Sequence, residues 1–504
     1  MTAARDSPKQ SLTPGYAVVA SPHKDLLLGE GRALQPTWVL YASVFGAMLN
    51  SLHYGWSNSQ INYSVFNNVE DCNRRPVKEG TCLMFPGHTK NMWTFLVNAW
   101  IVGGMCGSFI SGTISNKYGR RQTLRFNTVI MVIACIVEVV APTAWTFTAG
   151  RFIAGIANGI AMAVVNTYFS EISTPHNRHA LGINTHLSAT LGILGVATTF
   201  WYWGTKDGFR YIAAMPIFMA AGHLLLSYLV MPESPVWLVT QGRDAEAEES
   251  IGRLYGKESV PTMMAWIQAV DRRSKLPSFV GQTETVKSEG PFAIIFAPKF
   301  RRAVIISIGL TCINQLVGIN AIFFYSSSVL KHAGIKDSRV GLMIIDVLNV
   351  VPVPIASILS KHLPKRLMLM SGLFLVTLCC IGITISLTHS IGWLSITMLG
   401  LFVVGYDLSI GPLFWPIIGE LFPDSARGNA VGLCVMLKWF CALVVGVGFP
   451  YVEEAITNYS FVPFLCTSIL ANIFIFFMVP ETSDKTIAEI QQDFRSSEIP
   501  KVEK

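Results

Sequence analysis

Between Trp38 and Val479 the chain alternates long apolar runs with short polar breaks, and twelve such runs can be marked. Each holds about 18 to 28 mostly apolar residues, long enough at about 1.5 Å per residue to cross a hydrocarbon core of about 30 Å as a helix. They fall near 38–60, 91–115, 124–141, 146–169, 180–202, 210–231, 302–327, 339–360, 367–388, 393–420, 428–450 and 458–479. None alternates with period two, which excludes a membrane barrel. The pattern predicts an all-α polytopic membrane protein with the lipid bilayer as solvent. One long polar stretch splits the series into six and six. The expected divisions are a cytosolic tail (1–37), an N-terminal six-helix bundle (38–232), a cytosolic loop (233–301), a C-terminal six-helix bundle (302–480) and a second cytosolic tail (481–504). Within the loop, Arg243–Tyr255 has apolar residues at helical spacing and predicts an amphipathic helix, with another around Trp266 and Val270.

Composition agrees with this pattern. Of 504 residues, 51% are hydrophobic and 14% charged, where a soluble domain carries roughly 25% charged residues. The net charge of +7 could suggest nucleic acid, but most Lys and Arg fall in the segments placed inside. That asymmetry is a topology signal, and an even number of helices puts both termini in the cytosol. No nucleic-acid partner is expected. The first 37 residues lack an apolar core for a cleavable signal, so the first helix is expected to act as an uncleaved one. Cys72 and Cys82 share the first outer loop, where a disulfide is possible. The sequons at Asn62 and Asn458 also map outside, close to the membrane. No cysteine or histidine spacing resembles a zinc site, and neither metal nor cofactor is expected.

The halves echo one another. Glu171 and Arg178 repeat at the same spacing as Glu420 and Arg427, and Met231-Pro232-Glu233-Ser234 repeats as Val479-Pro480-Glu481-Thr482. Lys117-Tyr118-Gly119-Arg120-Arg121 has a degraded counterpart in His362-Leu363-Pro364-Lys365-Arg366. Parallel six-helix repeats place a substrate site at their interface, near the bilayer midplane. To these add G-R-F-I-A-G from Gly150, Y-F-S-E-I-S from Tyr168, P-E-S-P-V-W-L from Pro232, N-Q-L-V-G-I-N-A from Asn314 and P-E-T from Pro480. In this order the motifs resemble the sugar porter family of the major facilitator superfamily, most closely its facilitative glucose transporters, over about residues 38–490.

The resemblance implies roles. Arg120, Arg121, Glu171 and Arg178, with Lys365, Arg366, Glu420 and Arg427, would form a charge latch at the inner mouth that joins helix ends when the protein is open outward. Exposed pairs are weak singly, but a network on two rigid bodies can tip an equilibrium of a few kcal/mol. Asn116 stands where the family usually has Asp, which would weaken the first-half latch. A sugar needs groups that donate and accept, which amides supply, and a flat apolar face. Asn314, Gln315 and Asn320 stand on the seventh helix, about 100 to 140° apart around its axis if it is continuous, and Trp415 on the tenth would cover the pyranose. Interhelical glue is the alternative reading of the amides. Gly411-Pro412 would loosen the tenth helix, less so because Phe414 replaces a second family proline.

Several positions depart from the glucose-transporter pattern. His186 replaces Gln, Asn314 replaces the first of two Gln, Asp346 replaces Asn, Asp407 replaces Glu, and Lys438 and Ala442 replace two Asn. Together they point to an altered substrate or pose. Charges at membrane depth need partners or a wet cavity. Asp346 or Asp407 is the expected ion-pair partner of Lys438, the alternative being contact with substrate or ion. Glu138 is expected near the outer surface with no transport role, and His53 and His223 in the interior.

These features predict transport of a small neutral monosaccharide, a hexose first, by alternating access and facilitated diffusion. Proton-coupled relatives carry an acid in the first helix, where His53-Tyr54-Gly55-Trp56-Ser57-Asn58 has none, although Asp346 or Asp407 could serve protons. A polyol such as myo-inositol fits the amides nearly as well. A non-transporting nutrient sensor is disfavoured by the short C-terminal tail. An enzyme is disfavoured by the lack of phosphate-loop, zinc-helix and nucleophile-elbow motifs. The C-terminal Lys501-Val502-Glu503-Lys504 lacks a dilysine pattern, so the plasma membrane is the expected home, an organelle the alternative.

Overall fold

A computed structural model describes residues 34–63, 66, 72, 76–78, 82–174, 177–275, 300–332, 337–422, 424–483 and 489. Among these residues every regular element is helical. In chain order, spans one to six are Trp38–Ser59, Lys90–Tyr118, Arg120–Val140, Ala144–Ile172, Arg178–Trp203 and Gly208–Leu229. Spans seven to twelve are Arg301–His332, Ser338–Leu359, Lys365–Thr388, Gly392–Leu421, Asp424–Ile456 and Val462–Met478, some of them interrupted. Nine meet length and hydropathy requirements for crossing a membrane. Span twelve is shorter, and spans one and five are diluted by polar residues such as Asn50, His53, Asn58, Thr185 and His186. The faces turned outward carry Tyr202, Phe218, Phe374, Trp393 and Phe477, an apolar belt that only lipid would solvate.

Spans one to six pack mainly among themselves, as do seven to twelve, and the two groups meet along spans two and eleven and spans five and eight. One end of the bundle carries the Cys72–Cys82 disulfide, with Cα atoms 5.2 Å apart; this is the disulfide face. The opposite, basic face carries the connecting helices Pro235–Thr240, Asp244–Tyr255 and Val260–Lys275. Ala247, Ile251, Leu254 and Tyr255 bury their apolar edge against spans one and four and the neighbouring short helices, and Tyr255 donates to the Ile172 carbonyl at 2.7 Å.

Three boundaries differ from the apolar pattern. Span three begins at Arg120 because Gly119, at φ +90°, turns the chain sharply and Glu233 caps the new helix. Spans seven and ten are each broken in two. Span seven breaks around Gly318, at φ +103°, and span ten breaks at Leu408–Ser409, ahead of Pro412. Hydropathy does not register either break, because each takes only two residues, Val317-Gly318 and Leu408-Ser409, within a long apolar run.

Candidate functional site

The break in span seven sets the geometry of the three amides. Asn320 lies beyond it, so the amides do not stand on one continuous helix as the apolar run suggests. They form a chain. Asn320 Nδ2 donates to Gln315 Oε1, and Gln315 Nε2 donates to Asn314 Oδ1 at 2.6 Å. Asn314 faces the broken span ten, donating to the Ile410 carbonyl at 3.3 Å while its own carbonyl accepts from Tyr406 Oη at 3.2 Å. Gln315 and Asn320 line a narrow cavity between the two groups of spans, together with Tyr54, Trp100, Trp415, Lys438, Trp439 and Ala442; Asn314 stands behind them.

The cavity wall is aromatic. Tyr54, Trp100 and Trp439 pack mutually with ring centroids 5.3 to 6.0 Å apart. Trp439 rests on Gly104, where a Cβ would come within 2.5 Å of the indole, and its Nε1 donates to Ser108 Oγ at 2.9 Å. Trp415 stands edge-on to the fully buried Phe414 at 4.6 Å, so Phe414 fixes the orientation of the indole. This arrangement puts amide groups and aromatic rings on the lining of one cavity.

The charged positions do not pair as the sequence suggests. Asp407 pairs with His186 across the boundary, His186 Nε2 lying 2.9 Å from Asp407 Oδ1, while Asp407 Oδ2 is buried without a partner. Gly411 lets the ring approach, since a Cβ there would meet both His186 Nε2 and Asp407 Oδ1 at 3.1 Å. Lys438 makes no ion pair with either aspartate. Its ammonium lies over the rings of Trp415 and Phe414, 5.6 and 5.8 Å from their centroids. Asp346 is buried on span eight and is not among the residues that line the cavity. One turn further on, Asn349 is buried with its Nδ2 unpartnered. That amide is absent from the sequence-derived candidates, although it shares a helical face with Asp346.

Glu138 lies two residues before the disulfide-face end of span three, the depth expected, and faces the interior. It is 3% exposed, accepts from Gln60 Nε2 at 2.7 Å, and belongs to a buried polar layer with Arg151, whose Nη1 donates to the Ser57 carbonyl at 2.7 Å. His53 and His223 are interior, His53 against Ser57 Oγ at 3.2 Å and His223 against the Gly46 carbonyl at 2.8 Å.

At the basic face each group of spans holds its own charge network. Arg120 Nη2 bonds Glu171 Oε1 at 2.7 Å, and Glu233 Oε1 accepts from the backbone N–H of Arg120 and Arg121 at 2.8 and 3.0 Å. The second network repeats this plan: Lys365 pairs with Glu420, and Glu481 accepts from the backbone N–H of Lys365 and Arg366 at 3.1 and 3.2 Å. Both glutamates sit where a helix N-terminus favours an anion. Among the described residues, the guanidinium groups of Arg121 and Arg366 make no carboxylate pair; they donate to the carbonyls of Met231 and Phe476, near the ends of spans six and twelve. The side chains of Arg178 and Arg427 lie outside the described residues. Glu233 and Glu481 were not among the sequence-derived candidates, yet the repeated Pro-Glu already marked both.

Among the described residues, no basic-face ion pair joins the two groups. They meet instead at the disulfide face. Asn62 Nδ2 donates to Ser326 Oγ at 3.0 Å and its Oδ1 accepts from Ser327 Oγ at 2.9 Å. Lys90 pairs with Glu454, Tyr451 Oη donates to Asn91 Oδ1 at 3.1 Å, and Arg339 lies 4.7 Å from the Trp201 ring centroid. Asn62, read in the sequence as a sequon, is 4% exposed and part of this clasp.

A family model described as "Sugar (and other) transporter" matches residues 38–494. Among curated relatives, the human solute carrier family 2, facilitated glucose transporter member 4 is 29% identical over 484 residues, covering 92% of this chain and 92% of its own. The glucose transporter GlcP of Staphylococcus epidermidis is 27% identical over 460 residues, 90% of this chain and 96% of its own. The partially occluded inward open structure of the xylose transporter XylE from E. coli superposes with a TM-score of 0.74 at 21% identity, covering 89% of this chain and 100% of that one. That likeness extends to the fold.

Proposed function

The chain belongs to the sugar transporter family, and from that premise we propose that it carries a hexose across a membrane by alternating access and facilitated diffusion. It is a multi-pass secondary transporter of monosaccharide and not an enzyme. The observation that carries the finer reading is the cavity between the two groups of spans, whose lining combines the amides of Gln315 and Asn320 with the rings of Trp415, Trp439 and Tyr54. Amides both donate to and accept from hydroxyls, and an indole covers the C–H face of a neutral pyranose. His186, Asn314, Asp346 and Asp407 would act around this contact by holding the broken helices in place. The relatives named for glucose support a hexose.

In this reading the halves are 38–232 and 302–480, the disulfide face is outside, both termini are cytosolic, and the plasma membrane houses the protein. The basic-face networks then bridge the halves only when the outer clasp opens. Uptake of labelled hexoses, pentoses and polyols into vesicles reconstituted with the protein tests the proposal. Hexose should equilibrate without accumulating, whether or not a pH gradient is imposed. If no monosaccharide crosses, the reading fails.

One observation favours a second reading, proton coupling. His186, partly exposed, and Asp407, buried, form a titratable pair that joins the halves, so protonation there could be tied to their separation. Accumulation driven by an inward proton gradient would select this reading over facilitated diffusion.

A further inference from the structure

Lys438 is a cation facing the cavity without an anion. Among the described residues its ammonium has neither a carboxylate nor a hydrogen-bond partner, and meets only the faces of Trp415 and Phe414. Aromatic faces at that range are weak substitutes for a counter-ion, and an ammonium at membrane depth is costly without one. The acids of the interior are placed elsewhere. Asp407 is turned to His186, Glu138 is bonded to Gln60, and Asp346 is not part of the cavity wall. An anion entering with the ring would supply the missing negative charge. Around it lie the amides of Gln315 and Asn320 and the aromatic walls, which suit a sugar ring.

We propose that the cavity also takes a monosaccharide bearing one carboxylate, a hexuronate or an aldonate, with Lys438 as its counter-ion. This rests on the reading of the protein as a monosaccharide transporter and names a further substrate class for the same cavity. Among the described residues the cavity wall carries a single ammonium and no second cation, which matches a monoanion; a sugar phosphate would bring nearly two charges. The indole of Trp415 lies under both the ammonium and the expected ring position, so carboxylate and ring would be held by adjacent groups.

The test uses the full chain in proteoliposomes, with counterflow of labelled glucose challenged by glucuronate, by its uncharged amide glucuronamide, and by glucose 6-phosphate. Glucuronate and glucuronamide share shape and differ in charge. Glucuronate should inhibit at a concentration on the order of tenfold lower than glucuronamide, the scale of one charge-assisted hydrogen bond. Lys438→Gln should erase that ratio and Lys438→Arg should retain most of it, each ratio being internal to one variant and independent of its abundance. Equal inhibition by the acid and its amide in the unaltered protein would overturn the inference while leaving hexose transport standing. Stronger inhibition by glucose 6-phosphate would overturn the carboxylate assignment. Absence of counterflow with every sugar would remove the transporter reading and this inference with it.

Discussion

Trp415 is held in place by its neighbours: edge-on to Phe414 and beneath the Lys438 ammonium. Its removal should therefore act on transport more than on folding. Trp415→Ala should weaken sugar binding by about 1–2 kcal/mol with surface abundance nearly normal, measured as hexose uptake per molecule at the surface. Unchanged uptake would place the indole outside the site. Glu138 should behave in the opposite way. Buried beside Arg151 and bonded by Gln60, it holds the polar layer of spans one, three and four together. Glu138→Ala leaves the Gln60 amide unpaired, at a cost of about 1–3 kcal/mol, and should lower thermal stability in detergent. An unshifted melting temperature would show that water or another side chain replaces it.

At the scale of elements, the closest packing rests on small residues. Across spans two and four, a Cβ at Gly103, Gly107 or Gly155 would come within 2.1 Å of a backbone carbonyl oxygen on the facing helix. Gly55 and Gly192 do the same between spans one and five. Such contact replaces the hydrophobic drive that lipid cannot supply between helices. Gly155→Val must push spans two and four apart, because the obstructing atom is backbone and cannot rotate away. Folded yield should fall severalfold in size-exclusion profiles, whereas Gly182→Val, with open space around it, should be tolerated. The two broken spans were not legible in the apolar pattern. Each break is only two residues long within an apolar run, and the Gly318 dihedral and the hydrogen bonds of Asn314 reveal them.

For the whole molecule, the balance between its two ends is the quantity to perturb. Asn62 joins spans one and seven at the disulfide face, while Glu420 and Lys365 stay within one half at the other. Asn62→Ala should shift the population toward opening at the disulfide face. Glu420→Gln should shift it the other way, because it weakens a network expected to bridge the halves only in that open form. Cysteine-accessibility labelling at each face reads both shifts, and a few tenths to about 1 kcal/mol per polar contact is enough to move a near-balanced equilibrium. Shifts in the same direction for both variants would contradict this assignment of the two faces.

The sequence alone determined the class of the molecule. Twelve apolar runs, the bias of basic residues and the echoed motifs each depend on local composition or on repetition along the chain, so a linear reading retains them. It also named Gln315, Asn320, Trp415 and Lys438, which the fold brings to one cavity wall. Pairing was decided only in three dimensions. Asp407 took His186 from the other half, Lys438 was left to two aromatic rings, and Glu138 turned inward to Gln60. Spacing along one helix reports which side chains share a face. A charge settles on whichever partner the packing of separate helices brings within about 3 Å, and that distance exists only once the two halves are assembled.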